Sequence, residues 1–296
     1  MTLPRPVVAD SMVFLTRRCT QQQFLLRPDA ETNQAFLYCL GVAAQRCDIG
    51  LVCALAMSDH YHAALWDRCG LAPRFMGLFH GFMGRAGNAA RRRRENFWSA
   101  GDAHYCRLGD AGAALEKSVY TLANPVKDHL VEKSIHWPGA NTFGWLDGRE
   151  VVVKRPRYFD REGDMPESVT LKLVAPPTFE GTFEEWAALL RAHVEEAEQK
   201  AAAERAATGR RIVGRKAVRA ASPSRRAYAD PAKRKQKPLV AAQCAELRAS
   251  MRAELKQFRL RHRFARLMFK LGWREVPFLP WTWRMVQLCA VTVADT

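Results

Sequence analysis

The chain predicts an α+β fold, an antiparallel sheet with helices packed on it, extended by a basic and mostly helical C-terminal part. Three observations carry that expectation. Strand-like alternation and helical apolar spacing succeed one another as strand, helix, strand, strand, helix, helix through the first half of the chain. An unbroken apolar run at residues 49–56 meets the turn formers Ser58 and Asp59, and a second run returns from His60 to Trp66 as a hairpin partner. From Arg205 onward 22 Lys and Arg stand against 5 Asp and Glu, a net of +17, whereas the whole chain carries +16. The excess cation is C-terminal.

The elements follow in order. Residues 12–18 (MVFLTRR) alternate as a first strand, and Arg17 and Arg18 end it with charge. Residues 24–28 form a loop or short extended piece. Asp29 and Thr32 can start a helix whose apolar face is Phe36, Leu37, Leu40 and Ala44. After the hairpin, residues 74–90 read as a helix that runs into Arg91, Arg92, Arg93 and Arg94. Four arginines in a row are ordinarily solvated, but beside Phe97 and Trp98 they could grip a phosphate backbone while the rings stack on bases. Leu115, Val119, Leu122 and Val126 make a buried helical stripe, which Pro125 ends or kinks. These elements form a first unit, residues 1–140. Residues 141–208 form an extension of two strand-like pieces, 151–154 and 169–174, and an amphipathic helix opened by Thr182 with Glu185 in capping-box position. Trp186, Leu189, Leu190 and Val194 are its inner side. Residues 209–240 are basic and broken by Pro and Ser, a linker or nucleic-acid-binding arm. Residues 241–296 carry a basic helix, 243–270, and an aromatic tail.

At 296 residues and 48% hydrophobic composition the chain can bury a substantial core. No apolar run is long enough to span a bilayer, and the N-terminus lacks a signal-peptide pattern, so the expectation is a cytoplasmic protein without a membrane partner. The eight cysteines occur singly, with no Cys-x-x-Cys pair, which suits reduced, packed thiols better than a zinc ribbon or disulfide framework. The basic C-terminal block points to a polyanionic partner, because cations placed on phosphates release condensed counterions.

Two short patterns carry chemistry. His60 and His62, two apart on a strand, present two imidazoles on one face while Tyr61 turns away. A neutral imidazole pair is a start for a divalent-metal site, though His-x-His alone more often marks surface or packing residues. Tyr120 and Asn124, four apart on a helix, share a face beside the apolar stripe. A half-buried tyrosine and a capping asparagine would explain them equally well in isolation.

Together, residues 57–62 (MSDHYH) and 120–127 (YTLANPVK) resemble the single-tyrosine HUH transposases of the IS200 type, especially the branch associated with repetitive extragenic palindromes. The resemblance covers Met12 to about Pro138. Ser58 and Asp59 replace the usual Pro-Asn, and His129 and Leu130 depart from the sequence that often follows Asn-Pro-Val. The resemblance implies a ferredoxin-like sheet with the histidine pair on a central strand. It also implies Tyr120 as the nucleophile, His60, His62 and Asn124 as ligands of Mg²⁺ or Mn²⁺, and a 5′-phosphotyrosine intermediate. Single-stranded or hairpin DNA would be the partner, held by Arg91, Arg92, Arg93, Arg94 and Lys127, and a homodimer is admitted. Two alternatives stand beside it. A DNA- or RNA-binding regulator would keep the scaffold without turnover, and a metal hydrolase of small molecules would need further His and Asp ligands and would leave the basic arm without a role.

Overall fold

A computed structural model of the chain describes residues 4–101, 103–159, 163–227 and 238–294. Its first strand, β1 (Ser11–Arg18), leads through a loop to α1 (Ala30–Arg46). Asp29 opens α1 by accepting a hydrogen bond from the Thr32 amide at 2.8 Å, which satisfies a donor that the first helical turn leaves without an internal partner. The hairpin is β2 (Ile49–Ala56) and β3 (His60–Asp67). At its far end the Asp67 carboxylate is buried and accepts from the amides of Leu71 and Ala72, which fixes the start of α2 (Ala72–Ala90). A fourth strand, β4 (His104–Leu108), precedes α3 (Ala111–Leu122) and the single turn α4 (Asn124–Lys127).

The expected α+β class holds, and its sheet is antiparallel through these four strands. The order β2-β3-β1-β4 belongs to a βαββαβ ferredoxin-like topology, and a two-residue strand, β7, later joins the outer edge of β4 in parallel. Helices α1 and α2 lie side by side on one face, where Phe36, Tyr61 and Phe79 meet edge to face. Helix α3 covers part of the other face, against β2 and β3. Sequence reasoning did not foresee β4, which is only HYCRL; its strand state comes from pairing with β1.

The following residues share the same core. Strands β5 (Val151–Lys154) and β6 (Ser168–Leu171) form a hairpin against α1, and Val169, Leu171 and Leu173 join the buried cluster that contains β1, β2 and β3. Gly41 permits this approach, since a Cβ there would lie 2.7 Å from Val169 Cγ2. Helix α5 (Phe183–Thr208) starts with the expected capping box of Thr182 and Glu185 and ends at Gly209, φ 65°. Trp186, Leu190 and Val194 face the core, and Leu189 is half-buried.

The basic stretch after Gly209 is docked where it is described. Val213 and Gly214 donate to the carbonyls of His129 and Leu130, α6 (Arg215–Ala220) buries Val218 against Met57 and Val126, and Arg225 and Ala227 exchange backbone hydrogen bonds with Phe24 and Gln22. Residues 228–237 of the expected linker lie outside the described residues. Strand β7 (Val240–Ala241) leads into α7 (Ala245–Lys270), tied to β4 by Arg107 and Glu254 at 2.9 Å. The tail ends in α8 (Trp283–Cys289), and Phe278 is fully buried against Ala265 and Phe269. Among the described residues no helix is long and apolar enough to cross a membrane.

Candidate active site

Strand alternation sends His60 and His62 to the α3 face and Tyr61 to the α1/α2 face. The register sets Arg18 opposite His60 and Thr16 opposite His62, and on the other side of β1 it sets His104 opposite Thr16. These residues therefore share the face. The two Nε2 atoms lie 3.0 Å apart. Asp59 holds His60 through Nδ1 at 2.7 Å; with the proton on Nδ1, the Nε2 lone pair is left facing His62. His62 stacks on Phe14, centroids 5.5 Å apart and rings inclined by 12°. Burial, then the charges of His60, His104 and Arg18, hold its pKa well below that of a free imidazole, so His62 is neutral at pH 7.

Asn124 enters from the break between α3 and α4. Ala123 ends α3, and Pro125, which has no amide hydrogen, falls in the first turn of α4 where none is needed. This kink brings the Asn124 carboxamide to 3.5 Å from His62 Nε2. Tyr120 lies one turn earlier. Its ring meets His62 edge-on at 5.1 Å and Phe14 at 6.2 Å, Lys127 Nζ lies 5.4 Å from its centroid, and the residue remains 40% exposed. The phenol is therefore beside the histidines and open to solvent. Burial and then the charge of Asp128 raise its pKa, while a hydrogen bond from Asn124 and the charges of Lys117 and Arg18 act the other way.

The donor set suits a hard divalent cation. Adjacent ligands of an octahedral Mg²⁺, each at about 2.1 Å, lie about 3 Å apart, the separation of the two Nε2 atoms. Asn124 Oδ1 and His62 Nδ1 are both buried without a hydrogen-bond partner, and interchange of the two carboxamide ends would turn Oδ1 toward the imidazoles. Among the described residues no group of three His, Cys, Asp or Glu is arranged to hold an ion, so the carboxamide would be the third protein donor.

Sequence reasoning had placed Asp59 only in the turn and had not picked out Asp128 or His104. Adjacency to His60 was the available signal for Asp59, and the four-residue step from Asn124 for Asp128. The arginine run is divided. Arg91 is tied to the Asp29 carboxylate at 2.8 Å and to Thr32 Oγ1 at 2.8 Å, whereas Arg92 and Arg94 are exposed. Among the described residues no hydrogen bond, ion pair or ring contact joins these four arginines to His60, His62 or Tyr120. Phe97 and Trp98 are not available to stack on bases: both are buried, Phe97 over Gly87 and Trp98 against Tyr61 with its indole N–H on the His80 carbonyl.

No family model matches the chain, and no curated protein matches it. Among solved structures, a REP-associated tyrosine transposase bound to a REP hairpin is similar at 15% identity, over 49% of this chain and 83% of that one, with a TM-score of 0.39. A candidate transposase from Deinococcus radiodurans R1 is similar at 20% identity, over 36% of this chain and 84% of that one, with a TM-score of 0.28.

Proposed function

We propose that the chain is a metal-dependent endonuclease and strand transferase of the transposase type, acting on single-stranded DNA at hairpin-bearing sites. The observation that carries this reading is the convergence of a solvent-open phenol, two imidazole Nε2 atoms 3.0 Å apart and a buried carboxamide with an unpaired oxygen. In the proposed step Tyr120 Oη attacks a DNA phosphorus. The phosphorus–O3′ bond breaks, a 5′-phosphotyrosine forms, and the 3′ oxygen leaves as a hydroxyl. Because the phenol's pKa is raised, its proton must pass to a base or to solvent as the ester forms. A divalent ion, Mg²⁺ or Mn²⁺, would be held by His60, His62 and Asn124 and would supply polarisation of the phosphoryl oxygen. Rejoining reverses the bond changes, with a DNA 3′-hydroxyl as nucleophile, and needs no ATP.

Lys127 above the Tyr120 ring and Arg18 opposite His60 supply positive charge where the phosphate would sit. Arg92 and Arg94 remain exposed for the DNA backbone, together with Arg210 and Arg211 after α5. The test is a denaturing gel of full-length protein with labelled, hairpin-bearing single-stranded DNA and Mn²⁺ or Mg²⁺. A labelled covalent adduct that requires metal and disappears in Tyr120→Phe is expected. An adduct that persists in Tyr120→Phe, or tight DNA binding with no adduct at all, overturns the proposed step.

A further inference from the structure

On the sheet face opposite Tyr120, a cavity of about 800 Å³ opens between α2, β4 and the C-terminal tail. It is lined by Arg5, Arg17, Arg266 and Arg284, and by no Asp or Glu among the described residues. His80 and His262 also line it, and burial lowers both of their pKa values, so neither adds charge at pH 7. The guanidiniums alone set its sign. Their sources are far apart in sequence: the N-terminal segment, the end of β1, α7 and α8.

Three polar atoms in the walls lack a hydrogen-bond partner although they are buried: Tyr105 Oη, Thr282 Oγ1 and Trp283 Nε1. Tyr105 and Thr282 are only 3% and 4% exposed. Leaving such groups unsatisfied costs about 1–3 kcal/mol each, and walls that carry several of them suit a polar ligand. Between them the lining is apolar, with Met76 from α2 and Phe258 from α7. Guanidiniums match phosphate oxygens and also lie against planar rings, and the volume far exceeds that of a bare phosphate.

We propose that this cavity is a nucleoside-phosphate site, with the phosphate on the arginines and the base between the aromatic and apolar walls. The ligand could be a free nucleotide or an unpaired nucleotide of a DNA strand; both present the same chemistry. The site is separate from the tyrosine centre, because Arg17 turns into it while the next residue, Arg18, faces His60.

Gly77 provides the test. It lines the cavity from the exposed side of α2, and a Cβ built on it meets nothing within 4 Å, so Gly77→Trp should fill the space while removing a helix-interior glycine. Binding of dAMP, a 5′-phosphorylated tetranucleotide, deoxyadenosine and inorganic phosphate to full-length protein is measured by calorimetry. At least one of the two nucleotide probes should bind about tenfold more tightly than phosphate or deoxyadenosine, and Gly77→Trp should weaken it about tenfold. Binding of dAMP identifies a free nucleotide as sufficient; binding of the tetranucleotide alone identifies a strand as the source. No nucleotide binding, equal affinity for inorganic phosphate, or unchanged affinity in a Gly77→Trp protein that melts like wild type overturns the site. If Gly77→Trp does not fold, Arg284→Gln at the exposed rim decides: about fivefold weakening supports the proposal and none overturns it. Adduct formation at Tyr120 should persist in both variants, so failure of the tyrosine chemistry and failure of this site are read separately.

Discussion

The two faces of β3 differ by one residue in sequence and by their whole chemistry in space. On the α1/α2 face, Tyr61 is fully buried and its Oη is 2.7 Å from His80 Nε2, while Arg17 donates to His80 Nδ1 at 2.9 Å. Polar atoms there are paired and ringed by Phe36, Phe79 and Trp98. On the α3 face, His62 and Asn124 are as deeply placed but keep unpaired polar atoms, and Tyr120 reaches solvent. A core can saturate its polar groups internally; a site leaves some for what it binds. The strand's period of two lets eight residues serve both purposes.

The largest expected effect sets those faces against each other. His62→Ala removes a proposed ligand and should reduce metal-dependent adduct formation by roughly 10³-fold, about 4 kcal/mol of barrier, with the fold intact. Tyr61→Phe should do the reverse. With Arg17 donating to Nδ1, His80 carries its proton on Nε2 and loses its acceptor, so about 1–3 kcal/mol of stability goes while adduct formation remains. Urea unfolding and the adduct gel on both variants check this. Equal losses of activity would mean that the two faces are not functionally distinct.

Asp59 is the next test, since it touches His60 without being a proposed ligand. Asp59→Ala should raise the metal concentration for half-maximal adduct by about 10–100-fold and leave the saturated yield much closer to wild type. A fall in saturated yield at an unchanged metal requirement would give Asp59 a different role.

The saturated face also predicts a pH dependence. Burial first, then Arg17, lowers the His80 pKa to about 3, against about 6.5 in an unfolded chain. Between those values the unfolded chain binds the additional proton. The stabilisation from a neutral His80 is therefore complete above about pH 6.5 and declines as pH falls toward 3. Between pH 7 and 5 the wild type should lose about 1–2 kcal/mol more than His80→Gln, measured as urea midpoints; parallel curves would contradict the buried neutral histidine.

How far sequence reasoning reached depends on the distance between the determinants of a feature. The β2–β3 hairpin, the Asp29 cap, the capping box at Thr182 and the Tyr120–Asn124 step are set by residues within a few positions of one another, and all were legible as structure. Their convergence was reached through resemblance, since spacing alone could not bring β3 to the α3–α4 break. Strand β4 and the burial of Phe97 and Trp98 depend on partners far away in the chain, and local composition pointed elsewhere. The arginine cavity joins Arg5 to Arg284, and no window of sequence could have displayed it.

The arginine run makes the same distinction within four residues and gives the smallest expected effect. Arg91 looks like its neighbours in sequence, but its guanidinium is mostly buried on the Asp29 carboxylate that caps α1. Arg91→Ala should therefore cost stability, about 1–2 kcal/mol, because it leaves the cap without its charge partner. Arg94 is exposed, and Arg94→Ala should leave the urea midpoint within about 0.5 kcal/mol of wild type. If Arg94 meets a DNA phosphate, its loss should reduce the slope of log affinity against log salt by about 0.7–0.9, the release associated with one phosphate contact. A stability loss at Arg94, or an unchanged slope, would remove it from the proposed DNA surface and leave Arg92 as the exposed cation of the run still to be tested.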